Sequence, residues 1–182
     1  MGRLGKDIER VLLTSEQIQR RVRELGNQIA KDYTGKRLRL IGVLKGSTVF
    51  MADLMRAIDM PVELDFLAVS SYGQKSESTG AVKILKDLDM PVEGVDILIV
   101  EDILDSGLTL SYIISLLAFS RPASVRLAAL LDKPLRRKTV VSADYLGFTV
   151  PDEFLVGYGL DYAEKYRNLP YVAVLSRHVY EK

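Results

Sequence analysis

From Thr14 onward apolar residues return every three or four positions: in TSEQIQRRVRELGNQIAKDY, Ile18, Val22, Leu25 and Ile29 share one stripe and mostly polar residues fill the rest. That period predicts an amphipathic helix lying on a core, and Thr14 with Gln17 has the spacing of a capping box. LRLIGVL, 38 to 44, reads as a buried strand, and STVFMADLMRAI, 47 to 58, returns to helical spacing at Phe50, Leu54 and Ile58 with Ser47 as the expected cap. VELDFLAVSSY, 62 to 72, reads as a strand entering the polar tract SSYGQKSESTG, which has almost nothing to bury and is expected as a loop or hairpin end. AVKILKDL, 81 to 88, alternates and should return as a strand.

DILIVEDILDSGLTL, 96 to 110, begins as a buried strand and leads into the apolar helix LTLSYIISLLAF, after which SVRLAALL, 124 to 131, is another strand. Strands alternating with helices predict an α/β fold: a Rossmann-like, mainly parallel sheet with helices on both faces, whose ligands bind at the carboxyl ends of the strands. The remainder, 138 to 182, holds short strand-like pieces (FLVGYG, YVAVL) and is expected to form a small hood or flank, completed by the N-terminal segment. The whole chain, 1 to 182, reads as one domain.

Composition narrows the function classes. The 182 residues are 48% apolar, enough for one sizeable core. Lys and Arg total 25 against 24 acids, which gives no general attraction to nucleic acid or anionic membranes, so an anion site must be local. With no cysteine there are no disulfides, thiolate nucleophiles or sulfur-ligated metals. A charged N-terminus and the lack of any long apolar run lead to the expectation of a soluble, cytoplasmic protein. The one histidine, His178, lies in a polar terminus and receives no role.

The chemistry gathers around residues 101 to 109. Ser106, Gly107, Leu108 and Thr109 form a turn of mostly small residues entering a helix, where unpaired backbone amides and the helix dipole suit a phosphate monoester. No Walker lysine follows, which disfavours ATP or GTP hydrolysis. Glu101 and Asp102 fall near the carboxyl edge of the strand, where they would repel phosphate but can accept hydrogen bonds from vicinal hydroxyls or hold Mg²⁺. A ligand with a terminal phosphate, a diol and a metal-bound leaving group reconciles the two, and a phosphorylated ribose has these parts.

VEDILDSGLT resembles the phosphoribosyl pyrophosphate (PRPP) signature of the type I phosphoribosyltransferases, with Ser106 in place of the commoner threonine. VLKGS at 43 to 47, SSYG at 70 to 73, LLDKP at 130 to 134 and VPDEFLVGYGLDYAEKYRNLPYVAVL at 150 to 175 extend the likeness to the bacterial hypoxanthine-guanine phosphoribosyltransferases. This resemblance implies transfer of a 5-phosphoribosyl group from PRPP to a 6-oxopurine with Mg²⁺. It implies Asp105 as the acid facing the purine's nitrogen 7, Lys133 as donor to the 6-oxo group, and Phe154 and Leu155 as the base platform. Lys45, Gly46 and Arg167 would meet pyrophosphate, with the Lys45–Gly46 bond as a candidate cis peptide. Glu101, Asp102 and Asp161 would serve the metal, and Ser71 and Tyr72 would begin a lid over about 70 to 81. A homo-oligomer, dimer or tetramer, is expected, and neither DNA nor membrane as partner.

Two alternatives stay open on the sequence: a transferase of the same fold preferring xanthine, and a PRPP-binding regulatory protein. The second would need an extra recognition element to bind DNA, and the helix before Lys31 leaves no room for one.

Overall fold

In a computed structural model, described here for residues 3–71 and 82–181, a six-stranded sheet carries helices on both faces and a three-stranded sheet stands beside it. The elements run β1 (Ile8–Leu13), α1 (Ser15–Asp32), β2 (Leu38–Leu44), α2 (Thr48–Ala57), β3 (Val62–Ser71), β4 (Val82–Lys86), β5 (Asp96–Leu104), α3 (Leu108–Phe119), β6 (Ser124–Asp132), β7 (Tyr145–Thr149), β8 (Leu155–Val156), β9 (Val172–Leu175) and α4 (Arg177–Tyr180). The main sheet has the order β4-β3-β2-β5-β6-β7 and is parallel apart from β4, which pairs antiparallel with β3.

The largely apolar runs of β2, β5 and β6 follow from burial on both faces. Leu38, Leu40, Leu98, Val100, Ala128 and Leu130 pack with α1 and α2 on one side. Their odd-numbered neighbours Ile41, Val43, Ile97, Ile99, Leu127 and Ala129 pack with Leu110, Ile113 and Leu117 of α3 on the other. The stripe predicted on α1 is the buried one, and Thr14 closes the capping box: its hydroxyl accepts from the Gln17 amide at 3.3 Å, and Gln17 Oε1 accepts from the Thr14 amide at 2.8 Å.

Several expectations are corrected. Ser47 sits at the start of α2 but does not cap it; its fully buried hydroxyl donates to the Val43 carbonyl at 2.6 Å, closing the β2–α2 turn. Residues 138 to 182 are not all flank, because β7 joins the main sheet as its edge strand beside β6. That edge is blunted from α1, whose Arg21 donates to the carbonyls of Leu146 and Gly147 at 2.7 and 3.2 Å. β2 is not purely apolar inside: Arg39 is 1% exposed and binds Glu63, its register partner on β3, at 2.6 and 2.9 Å, together with the Pro91 carbonyl at 2.8 Å. The cis peptide is Leu44–Lys45, one bond before the expected Lys45–Gly46; the Lys45 carbonyl beyond it accepts from the Thr48 hydroxyl at 2.6 Å, tying the turn to α2. The remaining C-terminal pieces do assemble with the N-terminus, in the antiparallel sheet β1-β9-β8.

Candidate active site

The carboxyl ends of β5 and β6 form a corner between the two sheets. Gly107 begins α3 with φ 79, a left-handed conformation that glycine adopts without penalty, and an added methyl would collide with the Thr139 hydroxyl behind it. The helix's first backbone bond runs from the Ser111 amide to the Gly107 carbonyl at 2.8 Å, so the amides of the preceding turn have no helical carbonyl to meet. Only Leu108 finds a long contact, donating to Ser106 Oγ at 3.4 Å. Behind the turn, Arg137 Nε donates to the Asp105 carbonyl at 3.0 Å and the Lys138 amide to the Ser106 carbonyl at 2.9 Å. Sequence reasoning missed this brace; the only hint was a basic pair after LLDKP.

Two cavities meet at Asp105. One, of about 270 Å³, is lined by Glu101, Ile103, Asp105, Ser106, Gly107 and Thr109, with Val43, Leu44 and Val69 opposite. The other, of about 380 Å³, is lined by Ile103, Asp105, Lys133, Phe154, Leu155 and Asp161 among others. The first has the turn's backbone amides and an acid; the second has a buried cation and an aromatic ring. Lys133 is 6% exposed and donates to the Glu153 carbonyl at 2.6 Å. Burial pushes its ammonium below the usual lysine range, with Asp105 pulling the other way. Phe154 is stacked on Tyr180, centroids 4.9 Å apart, and meets the edge of Tyr162 at 5.4 Å. Arg136 Nε lies 3.3 Å from Asp105 Oδ1.

Glu101 and Asp102 are within β5, not beyond it, and they address different neighbours. Glu101 faces the cavity at the Ser106–Thr109 turn, where its Oε2 is buried without a hydrogen-bond partner. Asp102 lies against Gly46, so closely that a methyl there would collide with Oδ2, while Oδ1 accepts from the Ile103 amide at 2.8 Å. Desolvation raises both: Glu101 well above the usual carboxylate range, with the charge of Asp102 adding to it, and Asp102 to about 6 despite the Ile103 amide and Arg167.

The third predicted patch is held by ion pairs. Arg167 Nη1 donates to the Gly159 carbonyl and Nη2 meets Asp161 Oδ1, both at 2.8 Å. Lys45 Nζ meets Glu164 at 3.2 Å. Glu164 was invisible in the sequence, where DYAEKYR is an ordinary charged run. Among the described residues no three Asp, Glu, His or Cys side chains gather around one point. Oxygen donors in ones and twos, one of them a buried oxygen without a partner, fit Mg²⁺, which takes few carboxylates and completes its shell with water and phosphate oxygens. Ser71 ends β3, while Tyr72 and nearly all of the expected lid lie outside the described residues. Among the described residues, no helix is long and apolar enough to cross a membrane.

A model of the phosphoribosyl transferase domain matches residues 11–163. The hypoxanthine-guanine phosphoribosyltransferase of Bacillus subtilis is 56% identical over 175 residues, covering 96% of this chain and 97% of its own length. The bifunctional protein TilS/HprT of Listeria innocua is 52% identical over 179 residues, and there the chain spans only 28% of the relative's length. Among solved structures, a hypoxanthine phosphoribosyltransferase from Staphylococcus aureus is similar with a TM-score of 0.96 and 50% identity, covering 100% of this chain and 98% of that one.

Proposed function

The chain belongs to the phosphoribosyltransferase family, and from that premise we propose that it is a purine salvage enzyme, transferring the 5-phosphoribosyl group of PRPP to hypoxanthine or guanine to give IMP or GMP and pyrophosphate. The observation that carries this is Asp105, which lines both the cavity at the Ser106–Thr109 turn and the cavity that holds Lys133 and Phe154.

The amides at Ser106 to Thr109 hold the 5′-phosphate, and Glu101 faces the ribose hydroxyls. Lys133 donates to the purine's 6-oxo group in exchange for the Glu153 carbonyl, while Phe154 and Leu155 hold the ring. With both substrates fixed, a ring nitrogen attacks the anomeric carbon as its bond to pyrophosphate oxygen breaks, and Asp105 takes the proton that the purine loses. Lys45 and Arg167 face the departing pyrophosphate. Glu101, Asp102 and Asp161 would hold Mg²⁺, which would supply further positive charge to the leaving group.

The test is pyrophosphate release from PRPP with Mg²⁺ across hypoxanthine, guanine, xanthine, adenine and uracil. Release with the first two alone is expected. Release chiefly with xanthine would change the substrate, and PRPP binding without release from any base would favour a PRPP-binding regulator. Lys133→Met is expected to relax the preference for hypoxanthine over adenine by roughly ten- to a hundredfold in kcat/KM, since the discrimination rests on a buried donor that must find a carbonyl. Unchanged discrimination would remove Lys133 from base recognition.

A further inference from the structure

Lys45 and Arg167, the two cations proposed to face pyrophosphate, converge on one internal carboxylate. Glu164 Oε1 lies 3.2 Å from Lys45 Nζ and Oε2 lies 3.5 Å from Arg167 Nη2. The carboxylate is presented by a tight turn, Tyr162 to Lys165, whose end residues exchange backbone hydrogen bonds at 3.2 and 3.0 Å. Both central residues have positive φ, 50 at Ala163 and 62 at Glu164. A turn left-handed at both centres favours Asn-Gly or Asp-Gly, because a Cβ is strained there. This one carries Ala-Glu instead, and strain kept at such a place points to use. The Glu164 amide is fixed in addition by Asp161 Oδ2 at 2.9 Å. Arg167 is not saturated by its two carboxylates, since its buried Nε has no partner.

We propose that Glu164 is a displaceable internal anion: it holds Lys45 and Arg167 in the free protein, yields them to pyrophosphate oxygens when PRPP binds, and by reclaiming them promotes pyrophosphate departure. This rests on the proposed function and adds to it a residue that sets how tightly the leaving group is held. The side chains of Lys45 and Glu164 are 68% and 65% exposed. The pair is therefore weak enough to exchange rapidly, and its removal should change affinity modestly.

The experiment is titration calorimetry of pyrophosphate with Mg²⁺ on wild type, Glu164→Gln and Glu164→Asp, with steady-state kinetics on each. Glu164→Gln should bind pyrophosphate roughly two- to fivefold more tightly, lower KM for PRPP, leave KM for the purine unchanged and not raise kcat. Glu164→Asp, which keeps the charge, should stay near wild type. Glu93→Gln, an equal change in net charge just before β5 at the other end of the sheet, should alter nothing; tightening there too would reduce the effect to general electrostatics and overturn the proposal. Equal or weaker pyrophosphate binding by Glu164→Gln in an active wild-type background would overturn the role of Glu164 alone. A wild type that neither binds pyrophosphate nor releases it from PRPP would remove the proposed function and this inference with it.

Discussion

Asp105→Asn is expected to lower turnover by about 10²- to 10³-fold while KM for PRPP stays within about threefold. The carboxylate lines both cavities, so it is the one ionisable side chain placed to meet the base where the new bond to the sugar forms. Bond formation leaves the purine with a proton to lose, and a carboxylate can take it where an amide of the same shape cannot. The substitution spares the cradle, because the contact that braces this residue runs from Arg137 Nε to its backbone carbonyl at 3.0 Å. Arg136, 3.3 Å from the carboxylate oxygen, loses an ion-pair partner, but its side chain is 52% exposed and water replaces the loss. Initial rates at saturating substrates, with KM measured for each, separate proton handling from phosphate binding. Collapse of PRPP affinity with normal turnover at saturation would assign Asp105 to the phosphate instead.

What the sequence disclosed of this fold follows from what is local. The α1 stripe and its capping box are set by residues within one helix, and the apolar runs of β2, β5 and β6 are set by burial on both faces, so both were legible from spacing alone. The turn into α3 at Ser106 and Gly107 was legible because a left-handed glycine before a helix is a local solution to a local problem. Ser47 was misread for the same reason: its type and position match a cap, but the choice between the helix amides and the Val43 carbonyl is made by the shape of the turn behind it. Lys133 and Arg39 depend on partners far along the chain, Glu153 and Glu63, and no periodicity marks a cation as buried. β7 is too short and mixed to announce itself, and it joins the sheet because β6 offers an edge. The turn at Glu164 breaks the residue preferences by which turns are recognised, which hid it and also singles it out once seen.

Neutralising the buried acids should stabilise the protein while impairing it. Desolvation raises Glu101 well above the carboxylate range, and its Oε2 has no partner. A carboxyl whose folded pKa is raised lets the native state bind more protons than the unfolded one between the two values, so stability falls as pH rises through that window and the loss is complete above the folded value. At pH 8 Glu101→Gln is therefore expected to add on the order of 2 kcal/mol, or about 4–8 °C in melting temperature for a chain of this size. The gain should shrink as pH falls toward the ordinary carboxylate range. Asp102→Asn should act in the same direction with a smaller effect, since Oδ1 keeps its bond from the Ile103 amide. Asp102 is raised only to about 6, so kcat/KM for PRPP in the wild type should decline below a pH near that value, and the acid limb should be lost in Asp102→Asn along with most of the activity. PRPP with Mg²⁺ should stabilise the wild type more than either variant, because a ligand that meets these carboxylates relieves their repulsion and desolvation on binding. Thermal unfolding at pH 5 and pH 8, with and without PRPP and Mg²⁺, reads all of this. A Glu101→Gln protein that melts lower than wild type at pH 8 would show that the carboxylate has a compensating partner in the folded chain, and its assignment to the substrate's hydroxyls would have to be given up.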